Sequence, residues 1–119
     1  MPSPVALTVC ANGLDTPLSP FFGLAPWLMV LDPKGAAPVW LRNSESSVAY
    51  MVELIRGQGP SLAICGHIPG DAALALIAAG IELRVGPCSV PARSLIPIAA
   101  TLPTPGIAPM QARSRPGSA

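Results

Sequence analysis

The chain has 119 residues, of which 50% are hydrophobic and only 11% charged, with a formal net charge of +1. That length suits one domain with one real core, and the apolar content is the opposite of a disordered composition. Seven Lys/Arg against six Asp/Glu give little from which to build a phosphate-binding patch, so nucleic acid is not an expected partner.

Residues 5–11 (VALTVCA) are a short apolar run rich in β-formers, closed by the turn pair Asn12-Gly13. Residues 14–26 form a proline-rich loop with Phe21-Phe22-Gly23 in its middle. Residues 27–31 (WLMVL) predict a second strand, ended by the turn signal Asp32-Pro33-Lys34-Gly35. Residues 38–42 (PVWLR) return as a third strand, completing a hairpin. The period then changes. Val48, Met51, Val52 and Ile55 follow helical spacing, residues 44–47 supply N-cap candidates, and Gly57 stands where a C-cap glycine belongs. Residues 61–65 (SLAIC) read as a strand buried on both faces. Asp71 is positioned to cap a helix through Ala79, with Gly80 just past its end. Residues 81–85 (IELRV) predict a fifth strand, and Ser89 a cap for a last helix, with Pro91 in its first turn and Pro97 limiting it.

The order is β-β-β-α-β-α-β-α. Right-handed crossovers put the fourth strand beside the first and the fifth outside it, all three parallel. The expected fold is α/β: a ribonuclease-H-like three-layer arrangement with a mixed five-stranded sheet in the order 3-2-1-4-5 and helices on its faces. The domain is expected to span 1–102. Residues 103–119, rich in Pro, Ser, Gly and Ala with Arg113 and Arg115 as their only charges, read as a disordered tail.

No apolar run is long enough to span a bilayer without interruption: residues 94–112 carry Pro97, Pro103, Pro105 and Pro109, and residues 16–31 carry Pro17, Pro20 and Pro26. No basic residue precedes the short N-terminal apolar stretch, so it does not read as a signal peptide. A cytoplasmic location is expected, with Cys10, Cys65 and Cys88 as free thiols or ligands.

Ligands of open α/β sheets bind beyond the carboxyl ends of the parallel strands. Cys10 follows the first strand, Cys65 and His67 end the fourth, and Cys88 follows the fifth. Thiolates and imidazole suit iron, copper and zinc, and the four are chemically a Cys3His ligand set. Against that stands the plainer reading of Cys10 and Cys65 as small core residues. Strand pleating also prevents all four from facing one site. The turn Gly66-His67-Ile68-Pro69-Gly70-Asp71 opens the second helix, where backbone N–H groups favour an anion such as an anionic cluster, or is simply a strand–helix connection. Phe22 is expected in the core, while Phe21 either covers a cofactor or closes the core. No GxSxG, Walker, GxGxxG or HExxH motif occurs. Asp15, Asp32, Glu45, Glu53, Asp71 and Glu82 are scattered and the first strand carries no carboxylate, so neither a serine hydrolase nor a two-metal phosphoryl-transfer enzyme is expected.

These residues carry a resemblance. Leu18-Ser19-Pro20-Phe21-Phe22-Gly23-Leu24-Ala25-Pro26-Trp27 is similar to an "FG-x-A-P-x-F" loop and strand. Asn43 follows the third strand, Cys65-Gly66-His67-Ile68-Pro69-Gly70-Asp71-Ala72 resembles a "TG-x-x-GPNA" turn, and Ala79-Gly80-Ile81-Glu82-Leu83 resembles "AGIKV". In order and spacing they resemble the dinitrogenase iron–molybdenum cofactor biosynthesis family, which includes NifX, NafY and the C-terminal domain of NifB. The resemblance implies no enzyme, but a carrier that holds an iron–sulfur or iron–molybdenum cluster and passes it to nitrogenase cofactor assembly proteins or an apo-target. Cofactor contacts are then expected from His67, Cys88, Cys65, Cys10, Phe21, Gly66 and Gly70, the first four as metal ligands. In cofactor-carrying members a histidine commonly precedes the Phe-Gly pair. Here that position is Phe21, which cannot ligate metal, and His67 is the expected substitute. The alternative is an interaction module of the same fold that has lost cluster binding and uses the same cleft, or the Phe21-Phe22 loop, on a protein partner.

Overall fold

A computed structural model describes residues 4–32 and 37–105. Five short strands form where the apolar runs predict them: β1 (Val5–Val9), β2 (Trp27–Leu31), β3 (Val39–Arg42), β4 (Leu62–Cys65) and β5 (Glu82–Val85). They make one mixed sheet in the order β3-β2-β1-β4-β5. β1 pairs antiparallel with β2 and β2 with β3, whereas β1, β4 and β5 run parallel. The hairpin turn expected at Asp32-Pro33-Lys34-Gly35 lies largely outside the described residues.

The pleat sorts the core into two halves. Ala6, Leu28, Val30, Ala63, Cys65 and Leu83 face the helices, while Val5, Leu7, Val9, Met29 and Ile64 face the other side. Every residue of β1 is buried, and each large side chain so buried contributes about 1.5–3 kcal/mol. α1 (Val48–Gln58) and α2 (Gly70–Ala78) both lie on the first side, through Met51, Val52 and Ile55 and through Ala72, Ala73 and Leu76.

α1 starts at Ser47, whose side chain accepts from the Tyr50 N–H at 3.0 Å. Its C-cap is Gly59, left-handed at φ 59°, and not Gly57, which lies inside the helix. Asp71 is likewise not the cap of α2. Pro69 is, and Asp71 sits in the first turn with Oδ1 accepting from the Ala72 N–H at 3.0 Å. The expected third helix is replaced by two 3-10 turns, Ala92–Leu95 and Ala99–Thr101. Pro91 and Pro97 leave too few N–H groups between them for an α-helical ladder, and the segment closes i to i−3 instead, as from Ser94 to Pro91 and from Ile98 to Leu95. The second face is therefore covered by these turns, through Ala92, Leu95, Ala99 and Leu102, rather than by a helix.

Pro103, the first residue of the expected tail, is held to the sheet: its carbonyl accepts from the Val85 N–H at 2.8 Å. Residues 106–119, with Arg113 and Arg115, lie outside the described residues. Among the described residues no helix is long and apolar enough to cross a membrane.

Candidate functional site

β1 stops at Val9 rather than at residue 11 because the loop takes over its edge. Its parallel pairing with β4 ends at Leu7 and Ile64. Beyond that point the Ser19 N–H donates to Thr8 O at 2.9 Å and the Cys10 N–H to Pro17 O at 3.2 Å. The other edge of the same loop bonds to His67: its N–H donates to Pro20 O at 2.8 Å, and its carbonyl accepts from the Phe22 N–H at 2.8 Å. Residues 17–21 thus wedge as an extra extended segment between the splayed ends of β1 and β4. Gly66 makes this possible, since a Cβ there would stand 2.3 Å from Ser19 O and 2.7 Å from Pro20 O.

The wedge sets the two phenylalanines apart. Phe22 opens a 3-10 turn (Phe22–Leu24) and points into the helix-side core, 1% exposed. Phe21 is 54% exposed, and its ring stands edge-on to the exposed His67 imidazole, centroids 6.2 Å apart at 75°. An open cleft of about 290 Å³ lies there, bounded by Phe21, Leu24, Ser46, Val48, His67 and Pro69. Its walls are apolar except for the imidazole and Ser46. Gly23 packs tightly against α1, where a Cβ would meet Val48 Cγ2 at 2.6 Å. Asn43 braces the turn, with Nδ2 donating to Gly23 O at 3.1 Å and to Ala25 O at 3.0 Å. Leu24 and Ser46 carry no sequence signal for this role, and Asn43 had only its place after β3.

The four expected ligands do not converge. Cys65 is 1% exposed on the helix-side face, and burial pushes its thiol up to about 12. A thiolate there is strongly disfavoured, so Cys65 is a core residue. Cys10 is exposed, with its thiol 3.6 Å from Leu18 O. Cys88 is also exposed, and its thiol is raised by desolvation first and then by the charge of Cys10. Among the described residues no three His, Cys, Asp or Glu side chains come together to hold a metal ion. Cys10, Cys65, His67 and Cys88 are thus not brought together as one group in this structure. The pleat turns Cys65 inward, and the loop between β1 and β4 fills the space between Cys10 and His67. Gly66 allows the close backbone approach at this end of the sheet, and Gly70 begins α2. At the start of α2, Asp71 Oδ1 accepts from the Ala72 N–H and the Pro69 carbonyl from the Ala73 N–H.

A larger cleft of about 670 Å³ lies over the other face, between Leu31, Pro38, Pro91 and Ile96, and its rim includes Arg93, which is paired with Asp15 at 2.8 Å. It contains none of the cysteines and not His67.

Several solved structures share this architecture. The orange protein of Desulfovibrio gigas, solved in its apo form, superposes with a TM-score of 0.78 at 21% identity, over 89% of this chain and 95% of that one. A Thermotoga protein described as NifB-like, of the DUF35 family, superposes with a TM-score of 0.65 at 16% identity, over 83% of this chain and 87% of its own. At these identities the likeness is one of fold. No protein-family model matches the chain and no curated protein matches it in sequence.

Proposed function

We propose that this chain is a small, non-enzymatic, cytoplasmic accessory protein of the dinitrogenase iron–molybdenum cofactor biosynthesis type, with the ribonuclease-H-like fold of that group. It carries an iron–sulfur or iron–molybdenum cofactor precursor at the His67–Phe21 cleft and passes it to an assembly protein or apo-target. The observation that carries this reading is the position of His67. Its imidazole stands beside Phe21, the loop position where cofactor-carrying members hold a histidine, so the missing donor is supplied from the neighbouring strand end.

The chemistry is consistent with cargo rather than with a resident centre. A preformed cluster brings its own sulfide shell, so it asks for fewer protein donors than a resident iron–sulfur centre, which takes thiolates. Few protein donors also make release easier. The likeness of fold to an apo-form protein and to a NifB-like protein supports a small binding or accessory role. A second reading, an interaction module without cluster binding, draws on the exposed apolar rim, where Phe21 and Leu24 are 54% and 67% exposed.

The test is anaerobic gel filtration of the protein with isolated nitrogenase iron–molybdenum cofactor, with iron, molybdenum and protein measured in each fraction. Co-elution is expected for the wild type, with at least a tenfold loss in His67→Ala. Cys10→Ser and Cys88→Ser establish whether either exposed thiol contributes to binding. Full binding by His67→Ala sinks the proposed anchor. Absence of binding at near-millimolar wild-type protein favours the interaction module.

A further inference from the structure

Asn43 lies directly after β3 and is 3% exposed. A buried amide is unfavourable unless its polar atoms are paired, and Asn43 Oδ1 is buried without a hydrogen-bond partner among the described residues. Here both side-chain donor bonds go to one loop, to Gly23 O at 3.1 Å and Ala25 O at 3.0 Å. Two facing carbonyl oxygens fix which way the amide points. The backbone of Asn43 makes two further bonds: its N–H donates to Pro26 O at 2.9 Å, and its carbonyl accepts from the Ser46 N–H at 3.1 Å. Ser46 is the one non-glycine residue with positive φ among the described residues, at 48°, and such a conformation persists where its surroundings hold it. Gly23 and Ser46 both line the His67–Phe21 cleft. One buried residue therefore ties together the turn that follows Phe21 and the segment that leads into α1.

We infer that Asn43 is the positioning residue of this cleft: it holds the Phe21 ring against His67, and it must be an amide because the loop presents it with two carbonyl oxygens. The inference rests on the cleft being the working site, but its test needs no ligand. Asn43→Asp keeps the shape and replaces the donor pair with a carboxyl. Ionised, that carboxyl faces two carbonyl oxygens and repels them. Protonated, it offers one donor. Burial and the loss of donors raise its pKa above the ordinary value of about 3.9. The held form of the loop is therefore lost as pH rises above about 4, and acidification restores one of its two bonds and so part of the hold, whereas the wild-type amide does not titrate.

The readout is the nuclear Overhauser contact between the Phe21 and His67 rings, followed beside the amide signals of β1 and β4 and against wild type at each pH. In Asn43→Asp we expect the ring contact to disappear at pH 7 and to return in part on acidification, with the sheet amides unmoved. A ring contact that survives at pH 7 overturns the inference. So does a collapse of the sheet that acidification does not reverse, since that makes Asn43 a residue of the whole fold. Asn43→Ser, too short to reach both carbonyls and uncharged, is an independent check: if it folds and keeps the ring contact, the inference falls. With isolated iron–molybdenum cofactor as probe, Asn43→Asp is expected to lose at least tenfold in co-elution at pH 7. Loss of the ring contact with unchanged cofactor binding leaves the positioning role standing and removes the cleft as the binding site.

Discussion

At Gly66 the end of β4 and the loop at 17–21 approach so closely that a methyl group has no room. The obstacle is backbone: Ser19 O at 2.3 Å and Pro20 O at 2.7 Å from an added Cβ. Backbone cannot swing aside as a side-chain end can, so Gly66→Ala is expected to destabilise the fold by about 1–3 kcal/mol and to loosen the pairing of His67 with Pro20 and Phe22. A urea melt with amide exchange at His67 checks both. One residue earlier, the Cys65 thiol is neutral and inaccessible. Thiol reagents at neutral pH are expected to modify Cys10 and Cys88, leaving Cys65 until the chain unfolds. The linkage has a definite sign. In the folded state the Cys65 thiol ionises at about 12, against 9.0 for a free one, so the unfolded chain releases its proton first. Native stability is present below pH 9 and falls as pH rises toward 12. Urea midpoints at pH 8 and 10.5, compared with those of Cys65→Ala, measure this, and identical slopes in the two proteins would refute it. Among single residues, the sequence distinguishes Phe22 as a core residue but leaves Phe21 and Cys65 with two readings each. Exposure is decided by which face of a strand or turn a residue occupies, and that depends on partners far along the chain.

The helices illustrate the same limit for whole elements. Gly57 and Gly59 both follow the apolar stripe of α1, and periodicity alone does not choose the cap. The structure chooses Gly59, at φ 59°, and keeps Gly57 inside the helix with nothing within 4 Å of an added Cβ. The two sites are expected to respond with opposite signs. Gly59→Ala places a Cβ in the left-handed region and costs about 1–2 kcal/mol. Gly57→Ala removes a flexible residue from a helix interior and adds about 0.5–1 kcal/mol. Thermal unfolding of the pair decides it, and shifts of the same sign would contradict the assigned cap. The strands are more legible than the helix ends, because turn residues bracket each one and four residues are enough to define β3, β4 or β5. The last segment departs from the expected helix for a reason that is also in the sequence. Pro97 ends the segment within two turns of Pro91, and what forms there is a 3-10 turn.

Across the whole molecule, the C-terminal segment closes the second face of the sheet and Arg84 fastens it. The guanidinium bonds Leu102 O at 2.8 Å and pairs with Glu82 at 2.7 Å, while the Val85 N–H donates to Pro103 O. Hydrogen bonds to a charged group are worth about 1.5–3 kcal/mol when well placed. With the Arg84 side chain 22% exposed, Arg84→Ala is expected to cost toward the lower end, about 1–2 kcal/mol. Faster amide exchange is expected at Val85 and Leu102, with β1 and β2 unaffected. Protection that drops uniformly through the sheet would mean that the segment is no separate latch.

The order of elements and the order of strands are legible in the sequence alone. Hydrophobic period and turn chemistry are local, and the handedness of crossovers leaves few ways to arrange five strands once three form a meander. The same reasoning brings Cys10, Cys65, His67 and Cys88 to one end of the sheet. Which of them meet is a matter of tertiary structure. The pleat sends Cys65 into the core, and a loop wedged between β1 and β4 parts Cys10 from His67 while carrying Phe21 to the imidazole. Those are contacts between segments distant in the chain, set by packing and backbone hydrogen bonds that no local pattern encodes.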